Sequence, residues 1–412
     1  MALLSLDEAQ SWVITRCSRL APTDVSLRDA LGRVLAEDVV SSERVPPFAN
    51  TAMDGFAVRA ADVATVPCDL VVVGTLAAGA EPSTAVGPGE AIRIMTGAAM
   101  PDGADSIVPI ENTDPSATTV DRVRILRAAA HGDAIRPAGE DVQPGQLVFG
   151  EGTVLDAGHV GVLASIGCQT VRVFGRPRVG VLSTGDELIE APTPLRVGQI
   201  RDSNRHSLAA LVRQAGCEAI DLGLARDTEA DIEAHLRTGL ETCDAIVTSG
   251  GVSVGDFDYV KVVLDRLSAG SVSPMRWMQI AIRPAKPLTF GVIGDVPVFG
   301  LPGNPVSSMV SFELFAGPAL RRMLGHPQDR QKRSTIRGIA DEDFTRRSDG
   351  KTYFDRVRAI FEADGRLHVR SAGGQSSNLL RTLALANALV VLPDGPGARN
   401  GDEVDVLLLA QP

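Results

Sequence analysis

The stretch DAIVTSGGVSVGDFDY, residues 244–259, passes from a short apolar run into glycines and then into acids. Residues 245–248 read as a buried strand, being short, apolar and bounded by turn residues, and a helix is expected from about Tyr259. In an open α/β sheet, ligands bind beyond the carboxyl ends of strands. Glycines there let backbone N–H groups approach an anion, and the next helix start adds partial positive charge. Ser249 and Ser253 add hydroxyl donors. The same residues also admit a purely structural turn with Asp256 capping the helix. The spacing is neither GxGxxG nor the Walker pattern, which disfavours the familiar dinucleotide and P-loop sites.

Outward from this stretch, strand-like and helix-like segments alternate over residues 178–327. Residues 179–183 form a first strand. A helix follows with Leu208, Leu211, Val212 and Ala215 on one face, Asn204 as its cap and Gly216 as its stop. Residues 219–224 and 232–240 repeat the pattern, so a parallel-sheet α/β domain is expected. Residues 45–136 show short apolar runs broken by Gly, Pro and Asp, the pattern of a β-rich domain. Residues 328–412 alternate apolar and polar with turns at Asp349-Gly350 and Asp364-Gly365, a C-terminal β-domain. Residues 1–44 carry one helix through Leu6, Ala9, Trp12 and Val13 and a second short helix around Leu31. Residues 137–177 form a connecting segment with a small helix near 157–166.

A chain of 412 residues, 44% hydrophobic, suits two to four domains. Its net charge of −11 opposes unspecific binding to nucleic acid or anionic membrane, so an anionic substrate must be held by local positive groups. Lysine is nearly avoided: Lys261, Lys286, Lys332 and Lys351 are the only four. Five scattered cysteines without a CxxC pair fit a reduced cytoplasm, and neither a signal peptide nor a membrane span is expected. The histidines lack zinc-ligand spacing, and no HExxH occurs.

Further segments stand out. STGDEL, residues 183–188, places Asp186 and Glu187 at the end of the first strand, where they either hold Mg²⁺ against a phosphate or serve as cap and solvated acid. IRPAKPL, residues 282–288, contains Lys286, a compact ammonium suited to a small oxyanion; a basic surface loop is the other reading. GLPGNPVS, residues 300–307, turns a strand sharply into a helix with Pro305 in its first turn, either an anion site or a plain turn. NTAMDGFAV, residues 50–58, and MTGAAMPDGAD, residues 95–105, fit turn chemistry or a site.

Taken in order, PPFANTAMDGFAV, IMTGAAMPDGAD, GEDV, STGDEL, SGGVSVGDFDY, RPAKPL and LPGNPVS resemble the successive signatures of the molybdopterin molybdenumtransferase family, the MoeA type that also forms a domain of gephyrin. The resemblance spans nearly the whole chain. It implies four parts: an elongated hinge domain (1–44 and 137–177), a β-rich second domain (45–136), an α/β molybdopterin-binding domain (178–327) and a C-terminal β-barrel (328–412). It implies insertion of molybdenum from molybdate into adenylylated molybdopterin with release of AMP, and Mg²⁺ as cofactor. It also implies a cytoplasmic homodimer whose site joins the α/β domain of one subunit to the second domain of the other, with passing contact to the molybdopterin adenylyltransferase and to recipient molybdoenzymes. The residues that match are Asp54, Asp141, Glu187, Asp256 and Asp258 as catalytic acids. Thr96, Asp227, Ser249, Gly250, Gly251, Ser253 and Gly255 match as substrate-binding positions. Asp186 with Glu187 would hold the metal, and Arg283, Lys286, Ser307 and Arg356 the molybdate. A gephyrin-like scaffold, or a molybdopterin-binding paralogue without full transferase activity, is the alternative. The chain departs from the family in carrying RPAKP where KPGKP is usual. Arg283 keeps the charge and changes its shape. The methyl group of Ala285 is expected to disfavour a positive φ there.

Overall fold

A strand followed by a parallel neighbour needs a crossover that carries the chain back, and residues 178–301 supply helices for that purpose. The computed structural model describes residues 3–251 and 259–409. In it β1 (Arg178–Thr184), β2 (Glu218–Ala225), β3 (Ala245–Ser249) and β6 (Val296–Leu301) lie parallel in the order β2-β1-β3-β6. The expectation of a parallel sheet holds for these four. It fails at one side, where β5 (Pro287–Ile293) and β4 (Ser273–Gln279) extend the sheet antiparallel to their neighbours. The two-residue turn between Ile293 and Val296 leaves no crossover, so the chain must reverse there.

Helix α1 (Asn204–Gln214) buries Leu208, Leu211 and Val212 and ends before Gly216, whose φ of +88° makes the left-handed stop that its sequence position indicates. Its expected cap is corrected: Ser203 precedes the helix, and the Asn204 side chain does not cap it. Helices α2 (Glu229–Thr242) and α3 (Tyr259–Leu267) pack together beside β2 and β3, and α4 (Pro305–Ser311) follows β6. The largest core cluster runs from the sheet through Phe290, Phe299, Phe312 and Phe315 to Ala9 and Val13 of the N-terminal helix Leu6–Thr15 and to Phe354 of the last domain. One continuous apolar core therefore joins three parts of the chain.

The N-terminal helix starts with a capping box between Ser5 and Glu8, and Gln10 Nε2 donates to Leu314 O at 2.8 Å. The short helix expected around Leu31 is only a 3₁₀ turn, Leu27–Asp29. Leu31 is 66% exposed, so no buried face sustains a longer helix there. Pro22–Ser26 pairs with Thr170–Phe174, and Val39–Val40 with Leu147–Phe149, so segments on either side of the β-rich region close on each other. Between them a five-stranded sheet runs in the order Ser106–Pro109, Gly55–Val58, Glu90–Ile94, Cys68–Leu76, Arg122–Ile125.

The C-terminal region is a closed barrel of β7 (Thr335–Ala340), β8 (Thr352–Phe361), β9 (Leu367–Ser371), β10 (Ala388–Leu392) and β11 (Glu403–Leu408). Pairing runs β8-β9-β7-β11-β10, and β10 returns to β8. Closure removes the free sheet edges. Among the described residues no helix is long and apolar enough to cross a membrane.

Gly325 lies where the α/β region meets the hinge. Its φ is +90°, and an added Cβ would stand 1.9 Å from the ring of Phe174, itself buried. Gly325→Ala should therefore destabilise by roughly 2–4 kcal/mol, combining left-handed strain with overpacking. Thermal melts of both proteins check this, and an unshifted transition would refute the packing account.

Candidate active site at the strand ends

Parallel register determines which loops meet. Ser183 of β1 stands opposite Ser249 of β3, Ser249 opposite Leu301 of β6, and Thr184 opposite Ala225 of β2. The loops leaving these positions therefore form one rim, in the order Asp227, Asp186 with Glu187, Ser249 to Gly251, and Pro302 to Ser307. The expectation that STGDEL and the glycine loop share a rim is met by this register.

The turn after β3 is made by two successive left-handed glycines, Gly250 at φ +97° and Gly251 at φ +65°. A Cβ on Gly250 would lie 2.8 Å from Thr184 O, and one on Gly251 would lie 2.2 Å from Val260. Glycine is thus needed at both positions for space as well as for φ. Ser249 is buried, and its Oγ accepts a hydrogen bond from Asn204 Nδ2 at 2.7 Å. The same amide donates to Gly303 O at 2.7 Å, so Asn204 ties the β3 turn to the β6 turn. Ser253, Gly255, Asp256 and Asp258 lie outside the described residues.

Asp186 and Asp227 face each other across the ends of β1 and β2. Asp186 Oδ1 accepts from Asp227 N at 3.2 Å, and Asp227 Oδ2 accepts from Asp186 N at 3.3 Å. Glu187 is exposed and folds back over Gly185. These are hard oxygen donors of the kind Mg²⁺ takes, and Mg²⁺ usually uses one or two carboxylates and completes its shell with water and substrate phosphate. Among the described residues no group of three His, Cys, Asp or Glu closes around a point. The set therefore suits a metal shared with a phosphate-bearing ligand better than a closed structural site. Below the rim, Asp202 is buried and accepts from Ser183 Oγ at 3.0 Å and from Arg205 Nε at 2.9 Å. Arg205 also pairs with Glu190 and Asp221, anchoring the segment that follows Glu187.

The antiparallel β5 starts where β6 ends, and this reversal carries the 282–288 loop to the same rim. The loop is closed by Ile280 N donating to Lys286 O at 2.7 Å. Ala285 does adopt the left-handed conformation that its methyl group was expected to disfavour, at φ +73°. The methyl is 3% exposed within the main core. A left-handed penalty of about 1–2 kcal/mol is thereby offset in part by roughly 0.8 kcal/mol for one buried carbon.

A cleft of about 310 Å³ opens beside this loop. Arg283, Lys286 and Ser307 line it from the α/β domain, and Lys351, Gln375, Ser376 and Ser377 from the barrel. No acid lines it. Arg283 Nη1 donates to Tyr353 Oη at 3.2 Å, with the guanidinium 5.0 Å from that ring. Arg356 stands behind the cleft wall. It is fully buried, donates from Nη2 to Gly374 O at 2.8 Å, and its N and O bracket the Gln375 amide at 2.9 and 3.0 Å. Its Nε and Nη1 lack hydrogen-bond partners among the described residues, and burial pulls its pKa down. Sequence reasoning did not single out Gln375, Ser376 or Ser377. The scarcity of lysine was a usable signal for Lys351, since two of the four lysines line this one cleft.

In the β-rich region NTAMDGF and MTGAAMP are partners. Thr51 N donates to Ala98 O, and Gly97 N to Thr51 O. Asp54 Oδ1 accepts from Thr96 Oγ1 at 2.6 Å and from Thr96 N at 2.7 Å, and these bonds hold the exposed Asp54 below the ordinary carboxylate range. Asp141 is exposed near Val45. Among the described residues no hydrogen bond or ion pair links Asp54, Thr96 or Asp141 to the α/β rim of the same chain.

Three family descriptions match consecutive parts of the chain. They are the MoeA N-terminal region (domain I and II) at residues 4–167, the probable molybdopterin binding domain at 180–322, and the MoeA C-terminal region (domain IV) at 329–409. The chain is 36% identical over 401 residues to a molybdopterin molybdenumtransferase of Haemophilus influenzae, covering 96% of each. It is 38% identical over 396 residues to one of Nostoc, covering 94% of this chain and 88% of that one. A crystal structure of a molybdopterin biosynthesis MoeA protein from Pyrococcus horikoshii superposes with a TM-score of 0.81 at 29% identity, covering 99% of this chain and 100% of that one. With its ordered sequence signatures, three consecutive family matches and full-length relatives at 36% and 38% identity, this chain belongs to the MoeA family of molybdenum cofactor biosynthesis.

Proposed function

We propose that the chain is the transferase that inserts molybdenum from molybdate into adenylylated molybdopterin, releasing AMP and leaving the molybdenum cofactor. The observation that carries this reading is the cleft lined by Arg283, Lys286 and Lys351 at the end of a strand-end rim in a protein of net charge −11. The names of the full-length relatives support it. In this reading the Gly250-Gly251 turn, with Ser253 and Gly255 beyond it, receives the pterin phosphate through backbone N–H groups. Asp186 and Glu187 would hold Mg²⁺ at the pyrophosphate, with Asp227 beside them, and Asp256 and Asp258 are further catalytic acids by their place in the motif. When bound, the metal neutralises charge on the phosphoanhydride as it breaks. Lys286, Arg283 and Ser307 hold molybdate, with Arg356 adding positive charge from behind. The reading also makes the protein a cytoplasmic homodimer in which Asp54, Thr96 and Asp141 of one subunit complete the rim of the other. The adenylyltransferase that supplies the substrate and the molybdoenzymes that take the product are its transient partners.

Three measurements test it. Asp258→Ala and Glu187→Ala should each cut AMP release from adenylylated molybdopterin by about 10²-fold or more without altering the fold. Normal turnover in both would remove the strand-end acids from the reaction. Lys286→Ala should raise the molybdate concentration needed for half-maximal turnover about tenfold; an unchanged requirement takes Lys286 out of the oxyanion site. Mixing Asp54→Ala with Glu187→Ala protein should restore activity, since random pairing gives intact composite sites at about a quarter of positions. A pair that stays inactive after subunit exchange, or a monomer in light scattering, would overturn the shared site.

A further inference from the structure

The cleft beside the 282–288 loop has walls from two domains, and one of its cations has no assigned part. Lys351 precedes β8, whose first residues pair in parallel with Ile282 and Arg283, while Thr352 N donates to Ala281 O at 2.9 Å. The backbone at Lys351 is thereby fixed against the loop that carries Lys286. Its ammonium pairs with Asp349, two residues earlier, and its side chain is 23% exposed. Asp349 has other partners: Tyr353 Oη donates to it at 3.2 Å, and Arg346 Nη2 lies 3.4 Å away. Arg346 is itself buried and held by Asp394 at 2.8 Å. Asp349 therefore stays compensated if Lys351 leaves it, and the flexible lysine stem is the one element of this cluster free to turn inward.

We propose that Lys351 is a third oxyanion-binding cation of this cleft, supplied by the barrel domain, and that Asp349 holds it in reserve until a tetrahedral dianion displaces the pairing. This rests on the molybdate reading of the cleft. Physically, Arg283 is turned toward Tyr353 by its hydrogen bond and ring contact, so one of the two loop cations is partly diverted. With Arg283 partly diverted and Arg356 behind the wall, a dianion in the cleft is incompletely compensated by Lys286. The barrel lysine restores the balance, with the hydroxyls of Ser376 and Ser377 on the same wall. Exchanging Asp349 for a doubly charged ligand in a cleft lined by cations strengthens the attraction on Lys351, whereas a singly charged anion gains less. Lys351 accordingly acts as a specificity-determining residue for dianions.

The test is calorimetric titration of the full-length protein with molybdate, sulfate and nitrate. Lys351→Met, which keeps the apolar stem, should weaken molybdate binding about tenfold and lower its salt dependence. Lys351→Arg should recover most of the affinity, and Asp349→Asn should tighten binding severalfold by freeing the ammonium. Lys332→Ala, a surface pair to Asp7, should change nothing. Nitrate should be bound weakly and equally by wild type and Lys351→Met. If Lys351→Met fails to melt like wild type, Lys351→Arg and Asp349→Asn decide the matter through the opposite signs expected of them. A wild type that binds molybdate with an affinity untouched by Lys351→Met and Asp349→Asn overturns this inference alone. A wild type that binds neither molybdate nor sulfate overturns the molybdate reading of the cleft with it.

Discussion

A seam of two residues controls the site. Ile282 and Arg283 pair in parallel with Thr352 and Tyr353 at the start of a barrel strand, and Val306 N donates to Ser377 O on the other side of the cleft. Backbone hydrogen bonds are directional and short in reach, so these contacts fix the barrel relative to the strand ends within a fraction of an ångström. Removing the seam would leave two half-lined surfaces. With it, cations and hydroxyls from residues remote in sequence converge on one small volume.

Electrostatics explains why that convergence matters. A protein with eleven excess negative charges repels anionic substrates at long range, although salt screens this beyond about 8–10 Å. Close to the cleft the balance is reversed, because among the described residues three cations line it and no acid does. The acids stand at the other end of the rim, where Asp186 and Asp227 are held by each other's backbone N–H groups. A ligand bearing phosphates and a metal at one end and an oxyanion at the other would meet complementary charge along the whole rim.

The RPAKP loop shows how a departure from a family pattern is absorbed. Ala285 takes the left-handed turn at φ +73° at a cost that burial of its methyl group in the main core offsets in part, and Ile280 N closes the loop onto Lys286 O. Arg283 finds a flat partner in Tyr353, which a lysine would use less well. The loop thus brings Arg283 and Lys286 to the cleft, with Arg283 tied to a barrel residue.

Several features were legible in the chain alone because they depend on local pattern. The strand and helix alternation after residue 178, the glycine turn at Gly250 and Gly251 and the stop at Gly216 all follow from short-range sequence. So does the ordered series of motifs that marks the family. Other features were decided only by tertiary structure. Asn204 was expected to cap a helix, and it spans two turns instead, because a neighbouring strand end offers its amide better partners. The reversal at β5, the pairing of Asp54 with Thr96 and the arrival of Lys351, Gln375 and Ser377 beside Lys286 all depend on sheet order and domain docking. Spacing along a chain reports which residues share a face of one element. It carries no information on which strand edges will find each other, since that is settled by the burial and hydrogen bonding of the whole.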